Sequence, residues 1–140
     1  MKKFFSIMIL CISIFTWAQQ TELPFIGYRA FDIMKGYSGT GTPHYYLDLK
    51  NNGDVHFGYV QVNQASGEET TEEINVGKYA PNKVMKVVFK KYEETFFVKF
   101  DKEKIYLTDE KGNVKNLEGC CSSTESVNKE TCTCESEFFK

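Results

Sequence analysis

HYYLDLKNNGDVHFGYV, His44 to Val60, reads as two strands folded around one turn. Apolar residues recur at every second position on both sides of Asn51-Asn52-Gly53, the alternation of strands with one buried face. The faces choose the turn length. A two-residue turn at Asn52-Gly53 sets Leu49 opposite His56 and Leu47 opposite Gly58, mixing polar and apolar partners. A three-residue loop with Gly53 left-handed sets Leu49 against Val55, Leu47 against Phe57 and Tyr45 against Tyr59. All six then share one face, and a slip of one residue would turn the whole set to water, so this is the expected register. The opposite face pairs Asp48 with His56 and Tyr46 with Gly58.

The same period continues downstream. KVMKVVFK, TFFVKFD and KIYLTD form a meander in which Met85, Val87 and Phe89 are expected opposite Phe100, Val98 and Phe96, around a Tyr92-Glu93-Glu94 turn. Ile105 and Leu107 are expected against Phe100 and Val98. Lys86, Lys90, Lys99 and Thr108 are expected to face water, with Phe97 and Tyr106 as apolar exceptions on that side. Upstream, FIGYRAFDIM is a first strand. EEINVGKYAP, ended by Pro81-Asn82, is a weaker strand after the polar loop NQASGEET, and VKNLEG is the last. About eight strands at intervals of roughly 8–12 residues are the spacing of an up-and-down barrel or sandwich, and the expectation is an all-β, antiparallel up-and-down barrel. No segment carries a long helical stripe, and a meander leaves no room for the crossovers of a parallel sheet.

The ends read differently. MKKFFSIMILCISIFTWAQQ joins two lysines to a short apolar run ending at Thr16-Trp17-Ala18, the pattern of a cleaved secretion signal over residues 1–18. Bulky Leu10 before Cys11 disfavours lipidation there. Cleavage after Ala18 leaves 140 − 18 = 122 residues with net charge −2 − 2 = −4, because the signal removes two lysines and no acid. That size suits one domain, expected over 19–117 with a cysteine-rich tail over 118–140. Mild acidity with interleaved lysines argues against nucleic acid as a partner. The mature chain is expected to be exported, periplasmic or extracellular, with no membrane span.

The order YYLDLKNNGDVHF, VGKYAP, KVVF, TFFVKF and IYLTDEKGNV resembles the small lipocalin-like domains of bacterial envelope proteins. It is particularly similar to the amino-terminal domain of copper-resistance outer-membrane lipoproteins. The matching features are the Asn52-Gly53 turn, Gly77-Lys78-Tyr79, and the hairpin Leu107-Thr108-Asp109-Glu110-Lys111-Gly112. The resemblance spans about Thr42 to Leu117 and implies a lipocalin-like fold. GTGTPHYYL lacks that family's Cys-x-x-Cys, and the lipid-bearing cysteine is missing, so copper handling does not carry over.

Four thiols remain, in CCSSTESVNKETCTC: Cys120, Cys121, Cys132 and Cys134. Zinc sites favour Cys-x2-Cys spacing, which is missing here, although Cys-x-Cys can present two thiolates to copper or zinc. An oxidising compartment favours disulfides across the Ser122–Thr131 loop, in either connectivity, tying down a polar tail. A thiol-exchange enzyme is a third possibility. His44 and His56 lie on the outer face, read as cross-strand neighbours, and His56 beside Asp48 resembles a catalytic or metal pair. Glycine-rich GYSGTGTP has no lysine and opens no helix, so it is no phosphate cradle. With no catalytic signature and no cofactor implied, the inward row Tyr45, Leu47, Phe57, Tyr59, Val87, Phe89, Phe96, Val98 and Phe100 is either a packed core or the wall of a pocket. The expectation is a non-enzymatic module binding a small hydrophobic ligand or an envelope protein. The alternative is a periplasmic copper- or zinc-handling protein that uses the terminal thiols.

Overall fold

The computed structural model describes residues 22–32, 43–115 and 134–139. Among these residues eight strands follow one another: β1 (Gly27–Phe31), β2 (His44–Leu49), β3 (Asp54–Val62), β4 (Glu69–Lys78), β5 (Met85–Phe89), β6 (Glu94–Phe100), β7 (Lys104–Thr108) and β8 (Glu135–Glu137). They form two antiparallel four-stranded sheets, β1-β2-β3-β4 and β5-β6-β7-β8, each a plain meander. Among the described residues no helix is long and apolar enough to cross a membrane.

The β2–β3 hairpin has the register its faces demand. Leu49 lies opposite Val55, Leu47 opposite Phe57 and Tyr45 opposite Tyr59, with all six buried. Gly53 sits at φ 82°, the left-handed conformation that a three-residue loop needs and a side chain disfavours. Asn52 fastens the loop by accepting the Asp54 N–H at 2.9 Å.

The expected closed barrel is not found; the strands divide into two sheets. Residues 79–84 separate β4 from β5, Pro81 has no N–H to donate, and no ladder joins these two strands. Side chains stitch this seam instead: the Glu72 carboxylate accepts the backbone N–H groups of Lys90 and Lys91 at 3.0 and 2.8 Å. At the other seam one bridge joins Ala30 to Phe139, and the Ser136 hydroxyl donates to the Asp32 carbonyl.

Four expectations inside the second sheet are corrected. Met85 pairs with Val98 and Val87 with Phe96, two residues from the expected register. The connection is the four-residue turn 90–93, with Glu93 at φ 55°, rather than a three-residue one. A slip of two preserves the face, so the core residues remain inward. The β6–β7 register is as expected, with Phe100 opposite Ile105 and Val98 opposite Leu107. Thr108, expected in water, is fully buried, because the chain folds back to bridge Val114 with Thr108. The eighth strand comes from the tail, Glu135–Glu137, rather than from VKNLEG, of which only Val114 and Lys115 are described. Tail residues thereby join the domain sheet.

The core lies between the sheets. Phe31, Tyr45, Leu47, Leu49, Val55, Phe57 and Tyr59 of the first sheet meet Met85, Val87, Phe89, Phe96, Val98, Phe100 and Ile105 of the second. Each fully buried side chain of this size contributes about 1.5–3 kcal/mol through removal from water. Aromatic rings interlock across the gap, Tyr59 edge-on to Phe89 at 4.9 Å and Tyr45 edge-on to Phe96 at 6.0 Å.

Candidate functional site

All nine inward residues anticipated as a pocket wall, Tyr45, Leu47, Phe57, Tyr59, Val87, Phe89, Phe96, Val98 and Phe100, are brought together and buried. Their rings pack against one another, Tyr45 on Tyr59, Phe89 and Phe96, and Phe89 on Tyr59 and Phe96. One cavity beside Phe31, Val98, Ile105, Leu107, Cys134 and Ser136 measures about 10 Å³, room for a single water.

Polarity concentrates at one end of the interior. The Tyr45 hydroxyl donates to the half-buried Glu94 carboxylate. Burial raises the Glu94 pKa, and the Tyr45 bond pulls it only partly back. Burial, then Glu94, lifts the Tyr45 phenol above its ordinary range. The buried Tyr59 hydroxyl has no partner among the described residues.

The outer face of the first sheet carries the more developed arrangement. Strand register sets two adjacent rows across it. One row runs Phe139–Ala30–Tyr46–Gly58–Glu73, and the next runs Tyr28–Asp48–His56–Asn75. Gly58 lets Tyr46 lie flat across β3, since a Cβ there would fall 2.1 Å from the Tyr46 Cζ. Tyr46 thereby spans the sheet, and its hydroxyl donates to Glu73 Oε2 at 2.9 Å. His56 Nδ1 lies 3.0 Å from Glu73 Oε1. Tyr28 stacks on Tyr46, with ring centroids 4.7 Å apart and planes 25° from parallel. Tyr28 and Phe139 remain 56% and 57% exposed. Burial, then the charges of Asp48 and Glu73, raises the Tyr28 pKa, and burial with the Glu73 bond raises that of Tyr46.

The histidine expectation is corrected in part. His56 does lie opposite Asp48, yet Asp48 binds Lys50 at 2.5 Å while His56 turns to Glu73. His44 lies opposite Val60, so the two histidines are separated along the strands and are not neighbours. Among the described residues no three His, Cys, Asp or Glu side chains gather as metal ligands do. Cys134 is buried at the entry to β8 and engaged in a contact there. Cys120, Cys121 and Cys132 lie outside the described residues, as do the expected secretion signal over 1–18 and most of GYSGTGTP.

The sequence alone does not single out the Tyr28–Tyr46–Glu73–His56 group, although it carries a signal for it. A glycine facing a tyrosine inside a strand marks a side chain lying across the backbone. Comparison with protein-family models, curated proteins and solved structures finds no match to this chain.

Proposed function

We propose that this chain is an exported, non-enzymatic, lipocalin-like module of the bacterial envelope that binds a protein partner across the outer face of its first sheet. The observation that carries this reading is the stacked, half-exposed tyrosine pair held by Glu73. Solvated sheet faces do not need such rings, and exposed aromatic groups with a polar rim are the surfaces on which partners dock. Photo-crosslinking in the native envelope tests it. A benzophenone amino acid placed at position 28 is expected to capture a partner, and one at position 88, on the second sheet, is not. An empty result at position 28 overturns the reading.

A second reading, a small hydrophobic ligand in the interior, draws support from the unpartnered Tyr59 hydroxyl near Glu94. Native mass spectrometry of exported protein would reveal it as a retained adduct. The tail belongs to the same proposal. Cys120, Cys121, Cys132 and Cys134 form disulfides that anchor β8, supported by the engaged, buried Cys134. A mass four hydrogens below the all-thiol value is the expected result; four free thiols holding copper or zinc would favour metal handling instead.

A further inference from the structure

We infer that the Tyr28–Tyr46–Glu73 platform is a receptor for an arginine side chain presented by the partner protein. The inference rests on the partner-binding reading above and names the chemistry of recognition.

An aromatic ring carries negative charge density on its faces, so an exposed ring face attracts a cation. One face of Tyr28 is covered by Tyr46, and the ring remains 56% exposed. Stacking fixes the ring before anything binds, which lowers the ordering cost of association. Negative side chains surround it, with Asp48 directly opposite Tyr28 and Glu73 at the far end of Tyr46. Lys50 occupies Asp48. Glu73 is different: its partners among the described residues are a phenol hydroxyl and an imidazole, neither of them a permanent cation. Each of its oxygens accepts one such bond and keeps a second lone-pair direction. The platform therefore pairs a preset π-face with a carboxylate that makes no direct ion pair to a lysine or arginine among the described residues, Lys50 acting on it only through space.

Guanidinium matches both halves. It is planar, stacks on tyrosine faces, and donates parallel N–H groups to a carboxylate. A lysine ammonium is a strongly hydrated point charge and loses more on leaving water at an open face. The cation must also arrive from elsewhere. Arg29 is the chain's only arginine, and its guanidinium lies 5.1 Å from the Phe25 ring centroid and bonds to the Tyr28 carbonyl at 3.2 Å. A second copy of the chain thus offers no free arginine, and the occupant is a different protein.

The test is a titration of the mature, oxidised protein, followed by tyrosine-ring and amide NMR, with three short glycine-flanked peptides. They differ only in a central arginine, lysine or citrulline, the last a neutral isostere of arginine. The arginine peptide is expected to shift Tyr28, Tyr46 and His56 resonances, and the citrulline peptide to leave them in place. Tyr28→Leu and Glu73→Gln should each weaken arginine binding about fivefold, as expected of one exposed cation–π or ionic contact. Unchanged amide signals from the second sheet would verify that both variants fold. Equal responses to lysine or citrulline, shifts confined to other surfaces, or no shifts with the arginine peptide would overturn the inference. A crosslink at position 28 without arginine preference removes this inference alone; no crosslink removes the partner reading beneath it.

Discussion

Gly58 shows how one missing side chain organises a surface. Its role is close approach rather than backbone freedom, because the ring of Tyr46 occupies the space a Cβ would take. Gly58→Ala must push that ring off the sheet, breaking its stack with Tyr28 and its bond to Glu73. We expect a loss of about 1–3 kcal/mol, the usual range for overpacking, measured by urea unfolding. In a Tyr46→Ala background the same substitution should be close to neutral. A double-mutant cycle showing no coupling would refute the contact. Glu94 supplies a second prediction at this scale. Its pKa is raised in the folded protein by burial, so the native state holds its proton at a pH where the unfolded chain has released it. The associated stability is present below the ordinary glutamate pKa and is lost as pH rises through the elevated folded value. Glu94→Gln should therefore flatten the fall in stability above about pH 4.5, the ordinary glutamate value, while still accepting the Tyr45 hydroxyl. An unchanged pH profile would show that Glu94 is not the titrating group.

Between strands, the seams differ from the ladders. β4 and β5 meet without a ladder, and Glu72 accepts two N–H groups from the turn that follows β5. Removing that carboxylate orphans both donors at a site reached by water, so Glu72→Ala should cost about 1 kcal/mol. Hydrogen exchange should accelerate at the Lys90 and Lys91 amides and stay slow at Val87 and Val98. Uniform acceleration would point to global destabilisation instead. The seam also explains what the sequence could convey. Alternation identifies Leu47, Phe57, Val87 and Val98 as inward, because burial acts on every second residue, and these four are indeed buried. It cannot separate registers differing by two, which bury the same face, and the β5–β6 pairing differs from expectation by that amount. Nor does it distinguish a closed barrel from two sheets, since the inward pattern is common to both. The outer site was half legible: Tyr46–Gly58 and Asp48–His56 follow from the hairpin register, whereas Glu73 arrives through the β3–β4 pairing, which has a shift beside His56.

At the scale of the whole molecule, the two ends of the domain meet. β8 lies beside β7, and the residues after it reach β1 through the Ala30–Phe139 bridge. Neighbouring residues in an extended segment point to opposite sides, so this closing segment sends Phe138 inward and Phe139 outward. Phe138 packs edge-on to Phe25 at 5.5 Å, and to Phe31 and Phe100 at 6.4 Å each, tying both sheets into one core. Phe139 instead stands 57% exposed at the end of the outer aromatic row. Identical side chains, one peptide bond apart, should then have separable effects. Phe138→Ala should destabilise the protein by about 2–3 kcal/mol, because it empties part of the core where the sheets join. Phe139→Ala should fall within about 0.5 kcal/mol of the parent, as ordinary surface substitutions do. If Phe139 belongs to the docking surface, its loss should weaken partner capture at position 28 while leaving the unfolding midpoint in place. Destabilisation by neither substitution would mean that the carboxyl-terminal strand does not close the fold, and equal destabilisation by both would mean that Phe139 packs into the fold and does not extend the outer face across the β1 seam.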